Sequence, residues 1–379
     1  MEGVDLESLS NEQWLEIRAK YLTDEDPITR ARLEQIFLSL SISSKIKKLE
    51  SLILSQQRKQ DKLAVQTILA FFKEFAQDTD INLNSFFMSL DTITKQTLLQ
   101  IVENIAKMPD DRLYDLKIIL FNLLTNEELT WSLTNTPKQI LRMLETMTTV
   151  NTVVVYSCPD FPGEFTNKAQ TRWKYDLSGN VGKTIGFMGN KTVQTLVEII
   201  PTLKGNSPLR KLVLVLPSYE CPEGQDQEDY INNITQTGNL IKAQLQSELW
   251  GPNEVEVEFK QSAELYSNND LIKLKENLYI QDLIFQKITQ NPELSKLYAE
   301  VVALRGQAGY GDPSQQIVSY VAEGILLDQS FKSQESVYGN TMYITTESPL
   351  IPSLTITIQE LLGYASLPTC IITTKAQNY

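Results

Sequence analysis

The chain has 379 residues, 42% hydrophobic and 21% charged, an ordinary globular composition with room for two or three domains. It contains no histidine, which excludes Ser-His-Asp and Cys-His catalysis and His-rich metal sites, and leaves proton transfer to Glu, Asp, Tyr, Lys or a substrate group. The formal net charge of −13 argues against a surface coated for polyanions, while leaving room for a local basic patch.

Three scattered cysteines, Cys158, Cys221 and Cys370, form no CxxC pair, so neither a disulfide framework nor a zinc site is expected. The opening "MEGVDLESLS" is acidic, and no uninterrupted apolar run reaches about 18 residues. A soluble, cytoplasmic protein without a metal, a cofactor or a membrane contact is the expectation.

Residues 1–150 read as an all-α domain of seven to nine helices. The first, "SNEQWLEIRAKYL", opens at Ser10 with Gln13 in capping-box position. Helical periodicity continues through "ITRARLEQIFLSLS", "SKIKKLESLILSQQRK", "LAVQTILAFFKEFAQD", "DTITKQTLLQIVENIAK", "DDRLYDLKIILFNLL" and "PKQILRMLETM". Lys45, Lys47, Lys48, Arg58, Lys59 and Lys62 fall on several helical faces, which reads as a solvated surface.

From residue 151 the pattern changes to β-branched runs alternating with helices. Strands are expected at Val153–Tyr156, "KTIGFM" (Lys183–Met188), "KLVLVLP" (Lys211–Pro217), "EVEVEFK" (Glu254–Lys260), "TMYIT" (Thr341–Thr345) and "TCIITT" (Thr369–Thr374). Helices fill Thr192–Thr202, Asp229–Leu249, Asn269–Thr289, Pro292–Leu304 and Ser314–Leu327. The alternation implies a mainly parallel, Rossmann-like α/β sheet covered on both faces, spanning residues 151–379. Ligands in such sheets bind outside the carboxyl ends of the strands, where the strand order reverses.

"SGNVGKT" (Ser178–Thr184) lacks the first glycine of a phosphate loop and precedes a strand, so it reads as a turn. In "IGFMGNKT", Gly189-Asn190 is placed at a strand-to-helix turn whose backbone amides could meet an anion or a carbonyl oxygen. Gly238-Asn239 interrupts the Asp229–Leu249 helix, which calls for a close contact, a kink or a surface irregularity.

The central stretch is Gln316–Ile344. Ile317, Val318, Val321, Ile325, Leu326 and Leu327 surround Glu323 at helical intervals, which puts a carboxylate near a buried face. A helix-border acid bonded to a hydroxyl is the simplest account of it, and a functional acid is the other.

Taken in order, "IGFMGN", "LVLVLPSYE" with "TGNLIKAQL", "KLKENLYIQDLIFQKI", and "YVAEGILLDQS" with "SVYGNTMYI" resemble the tRNA-dependent cyclodipeptide synthases. Tyr343 stands 20 residues after Glu323, the usual separation in that family. The resemblance covers residues 151–379 only and implies the fold of a class I aminoacyl-tRNA synthetase catalytic domain. It implies aminoacyl transfer from aminoacyl-tRNA to form a cyclodipeptide or related amide, which would make the protein an aminoacyltransferase. Glu323 would handle the proton of an α-amino group and Tyr343 would position that group. Asn190 would orient a carbonyl, with Gly189, Met188, Ser319, Tyr320 and Asn239 around the substrate.

Three departures stand beside it. The position of the family's acylated serine falls on Phe187 or Met188, neither of which can be acylated. Lys242 is the only cation of "DQEDYINNITQTGNLIKAQLQSEL", where the family presents a basic face to tRNA. The catalytic-helix tyrosine expected one turn before Glu323 falls on Ser319, with Tyr320 beside it. Three readings therefore stand: aminoacyl transfer with weak tRNA binding; a non-catalytic module binding an amino acid or nucleotide, its helical domain contacting a protein partner; or an enzyme of another class on a Rossmann-like sheet.

Overall fold

The computed structural model describes residues 9–20, 27–75, 82–108, 110–126, 129–132, 136–156, 187–219, 226–249, 255–308, 312–346, 350–364 and 366–374. The chain divides into two compact units, Met1–Val102 and Glu103–Tyr379.

The first unit is all-α among the described residues. It holds α1 (Asn11–Ala19), α2 (Pro27–Ser39), α3 (Ile42–Phe71), α4 (Leu83–Ser89) and most of α5 (Thr92–Ile105). The capping box at Ser10 forms: its hydroxyl accepts the Gln13 amide at 3.2 Å, and the Gln13 side chain accepts the Ser10 amide at 2.8 Å. Two expected helices merge into α3, because Gln60-Asp61-Lys62 contains no helix breaker. Asp61 then ties α3 to α5, accepting the Thr92 hydroxyl at 2.9 Å and pairing with Lys95 at 3.5 Å. Lys45 departs from the solvated surface expected for its stretch. It is buried, with its ammonium 5.5 Å from the centre of the Trp14 ring. That attraction offsets part of the cost of desolvating the charge.

The second unit runs α6 (Asp110–Thr125), β1 (Leu129–Trp131), α7 (Pro137–Met147), β2 (Thr152–Tyr156), α8 (Phe187–Asn206), β3 (Lys211–Leu216), α9 (Gln227–Leu249), β4 (Glu256–Gln261), α10 (Asn268–Lys275), α11 (Leu278–Gln290), α12 (Pro292–Ala308), α13 (Pro313–Ser333), α14 (Glu335–Tyr338), β5 (Thr341–Thr345), α15 (Leu350–Leu361) and β6 (Thr369–Thr374). The sheet order is β1-β6-β5-β2-β3-β4, parallel except for β1 against β6. Numbered along the chain, the five parallel strands lie in the order 3-2-1-4-5, which is Rossmann-like. The order reverses between β2 and β5. Val153, Val154 and Val155 of β2 and Leu212–Leu216 of β3 are buried on both alternations, as a strand covered on both faces requires.

Several elements differ from the sequence expectation. Residues 103–150 lie in the second unit, where β1 extends the sheet and α7 packs beside β5 and β6. Phe187 and Met188 do not end a strand; they open α8. Gly189-Asn190 is consequently the helix's first turn, where amides have no intrahelical partner and these residue types are tolerated. Lys183–Gly186 and the Ser178–Thr184 turn lie outside the described residues. The Asn269–Thr289 helix breaks at Glu276-Asn277, where Asn277 caps α11 by accepting the Ile280 amide. α15 was not expected, since its Pro352 and β-branched residues mask a helix. Pro352 occupies the first turn, where proline is permitted.

Candidate active site

α13 organises the site because nearly its whole circumference is buried. Ala322, Leu326, Leu327 and Phe331 pack on the sheet with Val154 of β2. Ile317, Val318, Val321 and Ile325 pack on the opposite side against α11, α12 and α15. Proline at its first position and the Asp312 side chain, which accepts the Ser314 amide at 3.0 Å, fix where it starts. α15 comes so close that a Cβ on Gly324 would lie 1.9 Å from the Gln359 amide nitrogen.

Glu323 is 3% exposed. The Tyr156 hydroxyl donates to its Oε2 at 2.8 Å. Tyr156 is the last residue of β2, so the carboxylate stands at the carboxyl end of the strand where the sheet order reverses. A hydrogen bond to a charged acceptor is stronger than a neutral one, and here it compensates part of the burial.

Tyr343 lies on the same face of the sheet. Val154 is its register partner, and Tyr156 is two residues further on and so points the same way. Its ring meets Phe331 of α13 edge-on, with centroids 6.4 Å apart. Its hydroxyl is fully enclosed and has no hydrogen-bond partner among the described residues. Burial pushes this phenol well above its ordinary pKa, and the charge of the Asp328 carboxylate adds to the effect.

Asp328, one and a half turns beyond Glu323, is 5% exposed. Burial raises its carboxyl to about 7, opposed by the charges of Lys332 and Arg142 and by the backbone amide of Leu367. Its Oδ1 has no hydrogen-bond partner among the described residues. Arg142 reaches in from α7, donating to the Ser366 carbonyl at 2.6 Å and standing 3.8 Å from Glu360.

No protein-family model matches this sequence, and no curated protein matches it. Among solved structures it is similar to a cyclodipeptide synthase (CDPS) from Fluoribacter dumoffii, with a TM-score of 0.36 and 8% identity over 65% of this chain and 97% of that one. A CDPS from Staphylococcus haemolyticus gives a TM-score of 0.33 and 9% identity over 65% of this chain and 98% of that one. At such identities neither likeness speaks to activity.

The remaining residues implied by the resemblance are dispersed. Ser319 is buried and Tyr320 half-buried on α13, one turn before Glu323. Met188, Gly189 and Asn190 occupy the first turn of α8. Asn239 does not join this group. It is exposed on α9, and α9 packs on the other face of the sheet, where Gly238 meets the Phe259 ring. The close contact accounts for that glycine. Sequence reasoning missed Tyr156 and Asp328. Tyr156 looked like the end of an apolar strand, and only the register shows its direction. Asp328 was visible as an acid inside "GILLDQSF", a polar residue in an apolar helical run. Among the described residues no cluster of acidic or cysteine side chains could hold a metal ion, and no helix is long and apolar enough to cross a membrane.

Proposed function

We propose that the second unit transfers an aminoacyl group from aminoacyl-tRNA to an amine, giving a cyclodipeptide or a related amide. The observation that carries this reading is Glu323: a buried carboxylate, bonded by Tyr156, at the carboxyl end of the strand where the sheet order reverses. The sequence resemblance supplies the substrate class.

Glu323 takes a proton from the α-ammonium of one aminoacyl group, and Tyr156 holds the carboxylate in place by its hydrogen bond. The freed amine attacks the ester carbonyl of a second aminoacyl-tRNA. A C–N bond forms, the ester C–O bond breaks, and the departing ribose oxygen takes up a proton. The amine of the dipeptidyl ester, which remains on the first tRNA, then attacks its own ester carbonyl, closing the ring and releasing that tRNA. With Phe187 and Met188 where an acylatable side chain would stand, the route is a ternary complex whose rate comes from proximity and from the base.

Those same two residues favour a second reading, in which the α/β domain binds an amino acid or nucleotide without chemistry and the helical domain contacts a protein. Expression in bacteria with mass spectrometry of the medium separates the two. Transfer gives diketopiperazine or amide masses with the unaltered chain that disappear with Glu323→Gln. Their absence from both cultures, with amino-acid binding retained by the purified protein, supports the binding module. A covalent aminoacyl adduct on a Ser or Thr would refute the ternary-complex route.

A further inference from the structure

α3 carries a charge pattern that the site in the second unit does not use. Its Lys45 is buried against Trp14, but Lys47, Lys48, Arg58, Lys59 and Lys62 are all exposed. They stand on one unbroken helix, Ile42–Phe71, and at 3.6 residues per turn they fall within about 120° of one another. With Lys45 turned to the interior, the remaining cations no longer surround the helix. The exposed Ser51 and Ser55 share their arc. No acid does. Glu50 lies about 60° outside it, and Asp61 is turned to α5, where it meets the Thr92 hydroxyl and Lys95. None of the five cationic side chains forms an ion pair or hydrogen bond with another described residue. Arg58 and Lys62, four residues apart, and Lys59 and Lys62, three apart, repel one another and weaken the helix. A merely solvated face relieves such repulsion with interleaved acids, and this chain has 47 acids against 34 bases to supply them.

We propose that this arc of α3 is a binding surface for the phosphate backbone of an RNA. From Lys47 to Lys62 the row runs about 22 Å along the helix axis, so it offers a line of charge rather than a point. Phosphate oxygens accept hydrogen bonds, and lysine, the arginine fork and serine hydroxyls are the donors they take. A helix lying in a membrane surface needs a broad apolar face, and Leu54 is the only exposed apolar side chain between Lys47 and Lys62. A protein interface is centred on apolar or aromatic anchors and poor in lysine, the reverse of this composition. The rest of the chain repels a polyanion, since the net charge is −13, which keeps the affinity modest and confines RNA to this stretch. The arc lies in the first unit, outside residues 151–379, and α9, with Lys242 its only cation, offers no comparable row. The inference deepens the aminoacyl-transfer reading, and rests on it only in taking the polyanion to be RNA.

Fluorescence anisotropy of the full-length protein with a labelled short RNA duplex and with unacylated tRNA measures binding without turnover. Both RNAs bind, and log affinity falls against log salt with a slope of about −3.5 to −4.5, as phosphate contacts from five cations require. Arg58→Gln, Lys59→Gln and Lys62→Gln combined weaken binding at low salt by at least about thirtyfold and flatten the slope by about 2 to 3. Lys107, Lys138 and Lys296 are exposed cations of the second unit, and changing all three to Gln removes the same charge. That control changes RNA affinity by less than about threefold, because it leaves the phosphate contacts in place. Circular dichroism confirms that both triple variants fold. RNA binding that depends on the arc in a protein that makes no amide supports the surface and counts only against the transfer reading. Equal losses in the two triple variants, no RNA binding by the unaltered protein, or binding to anionic phospholipid vesicles in place of RNA would overturn the proposal.

Discussion

Replacing Asp328 by Asn gives the sharpest physical test of the site. The carboxyl is 5% exposed and raised to about 7 by burial, against about 3.9 in an unfolded chain. Between those values the folded protein holds a proton that the unfolded chain has released. Stability contributed by this group is therefore present at low pH and lost as pH rises toward 7. The full span corresponds to about 4 kcal/mol, of which about 3 kcal/mol falls between pH 5 and pH 8.5. Asparagine has the same shape and no titration. Urea unfolding followed by far-ultraviolet circular dichroism at the two pH values measures the difference between variant and unaltered protein. Relative to the unaltered protein, Asp328→Asn gains about 3 kcal/mol on going from pH 5 to pH 8.5. A stability difference that stays constant over that range would refute the claim that this carboxyl is desolvated and poorly compensated.

Three further outcomes follow. Tyr156→Phe leaves the Glu323 carboxylate without its 2.8 Å donor and costs about 1–3 kcal/mol of stability by urea denaturation; a neutral result would show that the bond is not a support of the site. Gly238→Ala places a Cβ 2.3 Å from the Phe259 ring and costs about 1–3 kcal/mol by overpacking, whereas a stabilised variant would show that α9 can move off β4. Binding of tRNA is weak, because the chain carries a net charge of −13, and what binding there is falls with salt, because phosphate contacts release counterions. Tight binding in a filter assay, unchanged from low to physiological ionic strength, would contradict that.

The parallel sheet was legible because its strands announce themselves. "KLVLVL" is apolar on both alternations, and only a strand covered on both faces needs that. Glu323 was legible for a related reason, as a charge inside an apolar helical run. What stayed hidden depends on distance in three dimensions. β1 is three residues long and exists because it pairs with β6, more than two hundred residues away. α8 starts at Phe187, earlier than expected, because the first turn accepts the Gly-Asn that reads locally as a loop. The Tyr156–Glu323 bond joins residues 167 positions apart, so no local pattern foretells it. Asp328 could have been noticed by the same reasoning that singled out Glu323, but its neighbours Arg142, Leu367 and Tyr343 come from three other segments.

The central claim is that Glu323 is the base of an aminoacyl transfer, and a single-turnover assay on the purified protein tests it most directly. Radiolabelled aminoacyl-tRNA is mixed with excess protein, and loss of the ester is followed together with appearance of amide product. The account predicts that label moves from tRNA into an amide with the unaltered protein, and that Glu323→Gln slows this by at least about a hundredfold, the contribution of a positioned general base. Transfer at the same rate in the Gln variant, or ester loss that yields only free amino acid, would contradict it.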